Sequence, residues 1–203
     1  MTTKTERRYF TCADLVIEQR AADGGTAVPV IRGHAAVFNQ LSEDLGGWRE
    51  QIAPGAFADA IKTDDVRALW NHNADIVLGR NRAGTLTLQE DVRGLLVEIT
   101  PPDTQQARDL VVSIQRGDVN QMSFGFSVRP NGQNWGQDDA GNYVRTLTSV
   151  RLFDVSPVTY PAYPQTDVAV DELRALRDSQ AGTALLHEQR RLVEHRRRML
   201  DLT

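Results

Sequence analysis

Period-two alternation recurs through most of the first 166 residues, helical spacing is confined to short windows, and helix formers take over beyond residue 170. These observations predict an α+β fold: a β-rich core with two or three embedded helices over residues 12–166 and a helical tail over 167–203. Residues 1–11 are polar and predict a flexible N-terminus.

Leu15-Val16-Ile17-Glu18 predicts a short strand, ended by the turn-prone Ala22-Asp23-Gly24-Gly25. Val28 to Phe38 predicts a second strand, with Pro29 near its start and the small residues Gly33, Ala35 and Ala36 along it. Asn39 to Pro54 carries Gly46-Gly47 and little periodicity, which predicts a loop. Gly55 to Ile61 predicts a short helix with Phe57, Ala60 and Ile61 on one side. Val66 to Trp70 predicts a strand running into the polar Asn71-His72-Asn73.

Thr85 to Leu88 and Leu95 to Ile99 predict a hairpin around Glu90-Asp91-Val92-Arg93-Gly94. Pro101-Pro102 stops its second strand. Asp103 or Thr104 then caps a helix in which Ala107, Leu110, Val111 and Ile114 follow i, i+3, i+4, i+7, and Gly117 stands at the C-terminal cap. Met122 to Val128 alternates. Met122, Phe124, Phe126 and Val128 share one face, while Ser123, Gly125 and Ser127 form a bare outer one. Asn131 to Asn142, with three glycines, predicts a flexible loop. Tyr143 to Val155 holds one or two strands and leaves through Pro157, Pro161 and Pro164. The tail is helix-forming from Asp171 and broken at Ala181-Gly182-Thr183.

Lys and Arg number 23 against 27 Asp and Glu, a net charge of −4. So mild a balance does not suit a chain that coats nucleic acid, which needs clustered positive charge. The single cysteine, Cys12, offers neither a disulfide framework nor a cysteine-based zinc site, and predicts a reducing compartment. The polar start predicts no secretory signal, and no window approaches the roughly 18 apolar residues of a membrane span.

Three residues could carry chemistry. His72 lies just beyond an apolar strand, where it would be either a presented imidazole or a plain loop histidine. Ser123, on the small polar face, would be either an accessible nucleophile or a solvent-facing serine. Asp154 interrupts the apolar Leu152-Phe153-Asp154-Val155, on the face of Leu152 and Ser156. A carboxylate there needs a partner, either a histidine N–H or Arg151, Arg80 or Arg82. Together the three supply a nucleophile, a base and an orienting acid. The chain order His72, Ser123, Asp154 differs from that of three familiar hydrolase folds, and no G-x-S-x-G elbow surrounds Ser123, which excludes an α/β-hydrolase. His34 competes for the third role. His187 and His195 read as surface residues of the tail. No second ligand stands at metal-site spacing from His72, so neither a metal nor a cofactor is expected.

The succession Gly33-His34-Ala35-Ala36-Val37-Phe38-Asn39, Ile52-Ala53-Pro54-Gly55-Ala56-Phe57, Trp70-Asn71-His72, Leu78-Gly79-Arg80, Gly94-Leu95, Met122-Ser123-Phe124-Gly125-Phe126 and Leu152 to Val158, with Pro161-Ala162-Tyr163-Pro164, resembles the prohead proteases of HK97-type tailed bacteriophages. It also resembles their prophage and gene-transfer-agent relatives, and the resemblance covers roughly residues 30–166 in order. The resemblance implies a serine endopeptidase distantly similar to herpesvirus assembly proteases, with a β-barrel core flanked by helices. It implies work in the bacterial cytoplasm inside the assembling prohead, on the major capsid protein and its scaffolding segment, and on itself as substrate. His72 and Ser123 match the motif histidine and serine. Asp154 stands where the family's Glu-Val-Ser motif usually has Glu, and the resemblance implies that the competing His34 packs on the core. A homo-oligomer is compatible with the resemblance; a membrane and nucleic acid are not expected as partners. In the tail, Leu185, Leu186, Leu192, Val193 and Leu200 could form a docking stripe, and the tail is a candidate for removal by self-cleavage. The alternative is a non-catalytic scaffolding or head-assembly factor with the same fold.

Overall fold

The structure, a computed structural model, describes residues 5–11, 14–21, 27–160, 174, 175, 177 and 178, with the side chains of 9–11 left aside. The chain divides into two units, residues 1–164 and 165–203. Of the second, residues 174, 175, 177 and 178 are helical; the rest of the predicted tail helix lies outside the described residues, as do Pro161 and Pro164 and the turn at 22–25.

The first unit holds β1 (Glu6–Thr11), β2 (Val16–Ala21), β3 (Ala27–Val37), β4 (Trp48–Ile52), α1 (Ala58–Thr63), β5 (Arg67–Trp70), β6 (Asn73–Arg80), β7 (Leu86–Glu90), β8 (Gly94–Ile99), α2 (Gln105–Arg116), β9 (Gln121–Val128), β10 (Gln133–Gln137), β11 (Tyr143–Leu147) and β12 (Val150–Val158). Three sheets result, ordered β1-β9-β12-β5-β6, β2-β3-β8-β7 and β10-β11-β4. Each is an open ribbon with two edge strands among the described residues. The barrel implied by the resemblance is therefore not formed, and the coarser expectation of a strand-rich α+β fold stands.

Local chemistry explains the elements that the sequence announces. Thr104 Oγ1 accepts from the Ala107 N–H at 3.4 Å, Gly117 closes α2 with φ of 82°, and Ala107, Leu110 and Ile114 are buried. In the β7–β8 hairpin, Gly94 passes so close to β3 that a Cβ would lie 1.9 Å from the Ala36 carbonyl oxygen, opposite a bulge between His34 and Ala36. Glu90, at the end of β7, accepts from the N–H groups of Gly55 and Phe57 and so ties α1 to the sheet. Phe57 meets Phe124 edge-on, with centroids 5.5 Å apart, inside a core shared by β3, β8, α1, α2, β9 and β12.

Three elements differ from expectation. The stretch predicted as a loop over 39–54 contains β4, which pairs in parallel with β11 and buries Trp48 and Ile52. The loop predicted over 131–142 contains β10. The N-terminus predicted to be loose forms β1 and pairs antiparallel with β9. Its two inward charges, Glu6 and Arg8, are met by Arg145 and Glu50.

Candidate active site

His72 sits in a two-residue hairpin turn between β5 and β6, where Trp70 pairs with Asn73. Asn71 and His72 have φ of 55° and 56°. Positive φ at both positions suits the right-handed twist of the flanking strands. Asn adopts this backbone readily; His does so at some cost in strain. The turn is braced on the end of β12. The Asn71 N–H donates to the Pro157 carbonyl at 3.0 Å, the Thr159 N–H to Asn71 Oδ1 at 2.8 Å, and Asn71 Nδ2 to Thr159 Oγ1 at 3.3 Å.

Ser123 lies in β9 between Tyr9 of β1 and Ser156 of β12. The bare outer face expected of β9 is covered, and Ser123 is 0% exposed.

Asp154 reaches this face through a register shift. Leu152 pairs with Phe126, yet Asp154 pairs with Gly125, so two steps along β12 match one along β9. The bulge at Phe153 therefore separates Leu152, which stays in the core, from Asp154 and Ser156, which join Ser123. The expectation that all three share a face is corrected accordingly. Gly125 makes the approach possible: a Cβ there would lie 2.4 Å from Asp154 Oδ1.

The three side chains meet. His72 Nε2 is 2.7 Å from Ser123 Oγ, and His72 Nδ1 is 2.5 Å from Asp154 Oδ2. The Ser156 hydroxyl donates to the same Asp154 oxygen at 2.8 Å. The His72 and Asp154 side chains are 6% and 11% exposed, so little water screens the pair. An ionised Asp154 accepts only, which puts the imidazole proton on Nδ1 and turns the Nε2 lone pair toward the hydroxyl. Ser123 Oγ also lies 2.8 Å from the Arg8 carbonyl oxygen. One hydroxyl proton thus faces two acceptors.

The other candidates have different partners. Arg80 forks onto Asp65 and, by that hydrogen bond first, holds the Asp65 carboxyl down at about 2. The Arg151 guanidinium lies over the Phe153 ring, and Arg82 donates to the Thr63 carbonyl. His34 is buried, as expected, but its ring is gripped by Asp14 and Asp91 rather than packed on apolar groups alone. His187 and His195 lie outside the described residues. Among the described residues no group of three or more His, Cys, Asp or Glu is placed to hold a metal ion. No described helix is long and apolar enough to cross a membrane.

Sequence reasoning missed the roles of Ser156 and Gly125. Ser156 stands two residues beyond Asp154 in an extended strand, a spacing that could have suggested it. The close approach at Gly125 left no signal beyond a glycine in mid-strand.

A nucleophilic hydroxyl, an imidazole and a carboxylate in relay, carried on two strands and a turn of an open sheet, define the constellation used in serine-dependent acyl transfer. The caudovirus prohead serine protease model matches residues 16–179, and the chain belongs to that family. It is 31% identical over 158 residues to the prohead protease of Enterobacteria phage HK97, across 73% of this chain and 64% of the relative. It thus spans a little under two thirds of that relative's length. Its fold is similar to that of the bacteriophage T4 capsid assembly protease, with a TM-score of 0.53 at 9% identity, over 78% of this chain and 98% of that one.

Proposed function

We propose that the chain is a serine endopeptidase of phage, prophage or gene-transfer-agent head maturation, with Ser123, His72 and Asp154 as its catalytic groups. The observation that carries this reading is the unbroken relay from Ser123 Oγ to His72 Nε2 and from Nδ1 to Asp154 Oδ2, at 2.7 and 2.5 Å. His72 Nε2 takes the hydroxyl proton as Oγ bonds to the scissile carbonyl carbon. The imidazolium formed is stabilised by Asp154 and then gives that proton to the departing amine as the C–N bond breaks. Water, activated by the same imidazole, releases the acyl group and restores Ser123. Ser156 helps hold the carboxylate in place by donating to the same Oδ2 that meets His72.

Membership of the family supports the major capsid protein and its scaffolding segment as substrates, inside the assembling prohead of a bacterial host. The tail from residue 167 is a further substrate, cut by the enzyme itself.

Two measurements test the proposal. A fluorophosphonate probe should label Ser123, and labelling should vanish in His72→Ala. Purified protein should appear lighter than 22.6 kDa by intact mass and return to full mass in Ser123→Ala. Absence of labelling, with full mass retained beside a co-expressed capsid protein, would favour the non-catalytic assembly factor.

A further inference from the structure

β1 is a charged strand in a buried place. Glu6 and Arg8 are 3% and 4% exposed. Arg8 forks onto Glu50, Nε to Oε1 at 2.6 Å and Nη2 to Oε2 at 3.0 Å. Arg145 forks onto Glu6 at 2.8 and 3.0 Å. The pairs are cross-linked, Arg145 Nη1 to Glu50 Oε2 at 3.0 Å and Arg8 Nη2 to Glu6 Oε2 at 2.9 Å. Two carboxylates and two guanidiniums make the cluster neutral. Two of the four, Glu50 of β4 and Arg145 of β11, are register partners in another sheet. Without β1 they would still pair with each other, with Arg145 Nε on Gln133, and the carboxylate edge and guanidinium fork that now hold Arg8 and Glu6 would face an incoming strand. Side chains two residues apart on an extended chain lie on one face. The complement of this pair is therefore Glu, any residue, Arg.

The backbone of β1 occupies an equally specific place. It runs antiparallel along β9 with Tyr9 opposite Ser123, and the Arg8 carbonyl oxygen is 2.8 Å from Ser123 Oγ. The peptide bond from Arg8 to Tyr9 is the one beside the hydroxyl. β1 also precedes the residues 16–179 that match the family.

We infer that β1 sits in the seat of the substrate: peptides add to β9 as an extended strand, Glu50 and Arg145 select Glu-x-Arg, and cleavage falls on the carboxyl side of that arginine. The inference rests on the Ser123–His72–Asp154 reading above. While β1 is seated, its carbonyl competes with His72 for the hydroxyl proton and its backbone fills the groove, so the strand holds the enzyme in check until it is displaced. The triplet recurs beyond residue 170 as Glu172-Leu173-Arg174, Glu188-Gln189-Arg190 and Glu194-His195-Arg196, which a second copy of the chain would read in trans. Glu18-Gln19-Arg20 also fits, but it is already committed to β2, where Arg20 binds Glu98.

The test uses the full chain and its Glu6→Gln/Arg8→Gln variant, which keeps polar side chains in the cluster while removing the forks. Fluorophosphonate labelling of Ser123 should be faster in the variant by about tenfold or more. Decapeptides centred on Glu-x-Arg should be cut after the arginine at least about 30-fold faster than Arg-x-Glu controls. A fourfold swap, Glu6→Arg, Arg8→Glu, Glu50→Arg and Arg145→Glu, preserves the pairing and should invert that preference. In the unaltered chain, intact mass should show fragments ending at Arg174, Arg190 or Arg196. Labelling of Ser123 with equal cutting of the two peptides, with neither cut, or with self-cleavage only at other sequences overturns the inference and spares the triad. No labelling and no cleavage in any variant removes the triad reading, and this inference with it.

Discussion

Replacing Gly125 by alanine changes one hydrogen for a methyl group and leaves the chemical identity of the three reacting side chains unaltered. Its Cβ would stand 2.4 Å from Asp154 Oδ1 and 3.3 Å from Cγ. Ordinary contact demands a retreat of roughly 1 Å. Asp154 Oδ2 now lies 2.5 Å from His72 Nδ1. The same retreat opens that gap to about 3.5 Å, beyond a useful hydrogen bond. A misplacement of this size in a catalytic group costs about 10²-fold in rate, or about 2.7 kcal/mol of barrier. The stability cost is that of modest overpacking, about 1–3 kcal/mol. The assay is the fluorophosphonate labelling rate of Ser123, measured alongside the thermal midpoint so that loss of fold is seen separately. Gly125→Ala protein that is folded and labels within twofold of the parent would refute the claim that Gly125 exists to admit the carboxylate.

Asp154→Asn should leave a folded protein with residual cleavage, reduced by about 10⁴ in turnover as in other triads; normal cutting would move the third role elsewhere, with His34 tested next. Gly94→Ala, whose Cβ would meet the Ala36 carbonyl oxygen at 1.9 Å, should destabilise by about 3 kcal/mol or more. Gly136→Ala, with nothing within 4 Å, should shift the thermal midpoint little, and equal midpoints for the two variants would contradict this reading. Burial pushes the Glu6 carboxyl up, but Arg145 and Arg8 outweigh it and hold it below its ordinary 4.5. A carboxylate so lowered stabilises the fold above that value and loses its contribution as pH falls through its folded pKa. The midpoint difference between parent and Glu6→Gln should therefore shrink as pH drops below 4.5; a difference independent of pH would count against it.

The parts of the fold legible in the sequence are those fixed by neighbours. α2 announces itself through Thr104, Gly117 and the spacing of Ala107, Leu110 and Ile114, all within one stretch of chain. The β7–β8 hairpin does the same. β4 and β1 do not, because Trp48 and Glu50 depend on β11, and Glu6 and Arg8 depend on Glu50 and Arg145. Nothing local distinguishes their buried charges from surface ones. His72, Ser123 and Asp154 could be named as residue types able to work together, and the structure brings them into contact. What could not be read was how they arrive: the reversed backbone at Asn71 and His72, and the extra residue at Phe153. The small side chains around Ser123 suggested an open face, whereas His72 and Asp154 lie over it and β1 pairs along its edge. The barrel came from the resemblance alone, and the three sheets remain open at their edges.

The bulge in β12 makes that strand two half-strands of opposite parity. Upstream of Phe153 the odd-numbered and even-numbered positions serve one assignment of inside and outside, and downstream they exchange it. Were Phe153 to take an ordinary strand position instead of bulging, every reacting group would remain in the chain, yet regular alternation would place the carboxylate of Asp154 on the face of Leu152, in the hydrocarbon interior. In this protein the bulging of one surplus residue, with no chemistry of its own, decides whether the acid can face its imidazole.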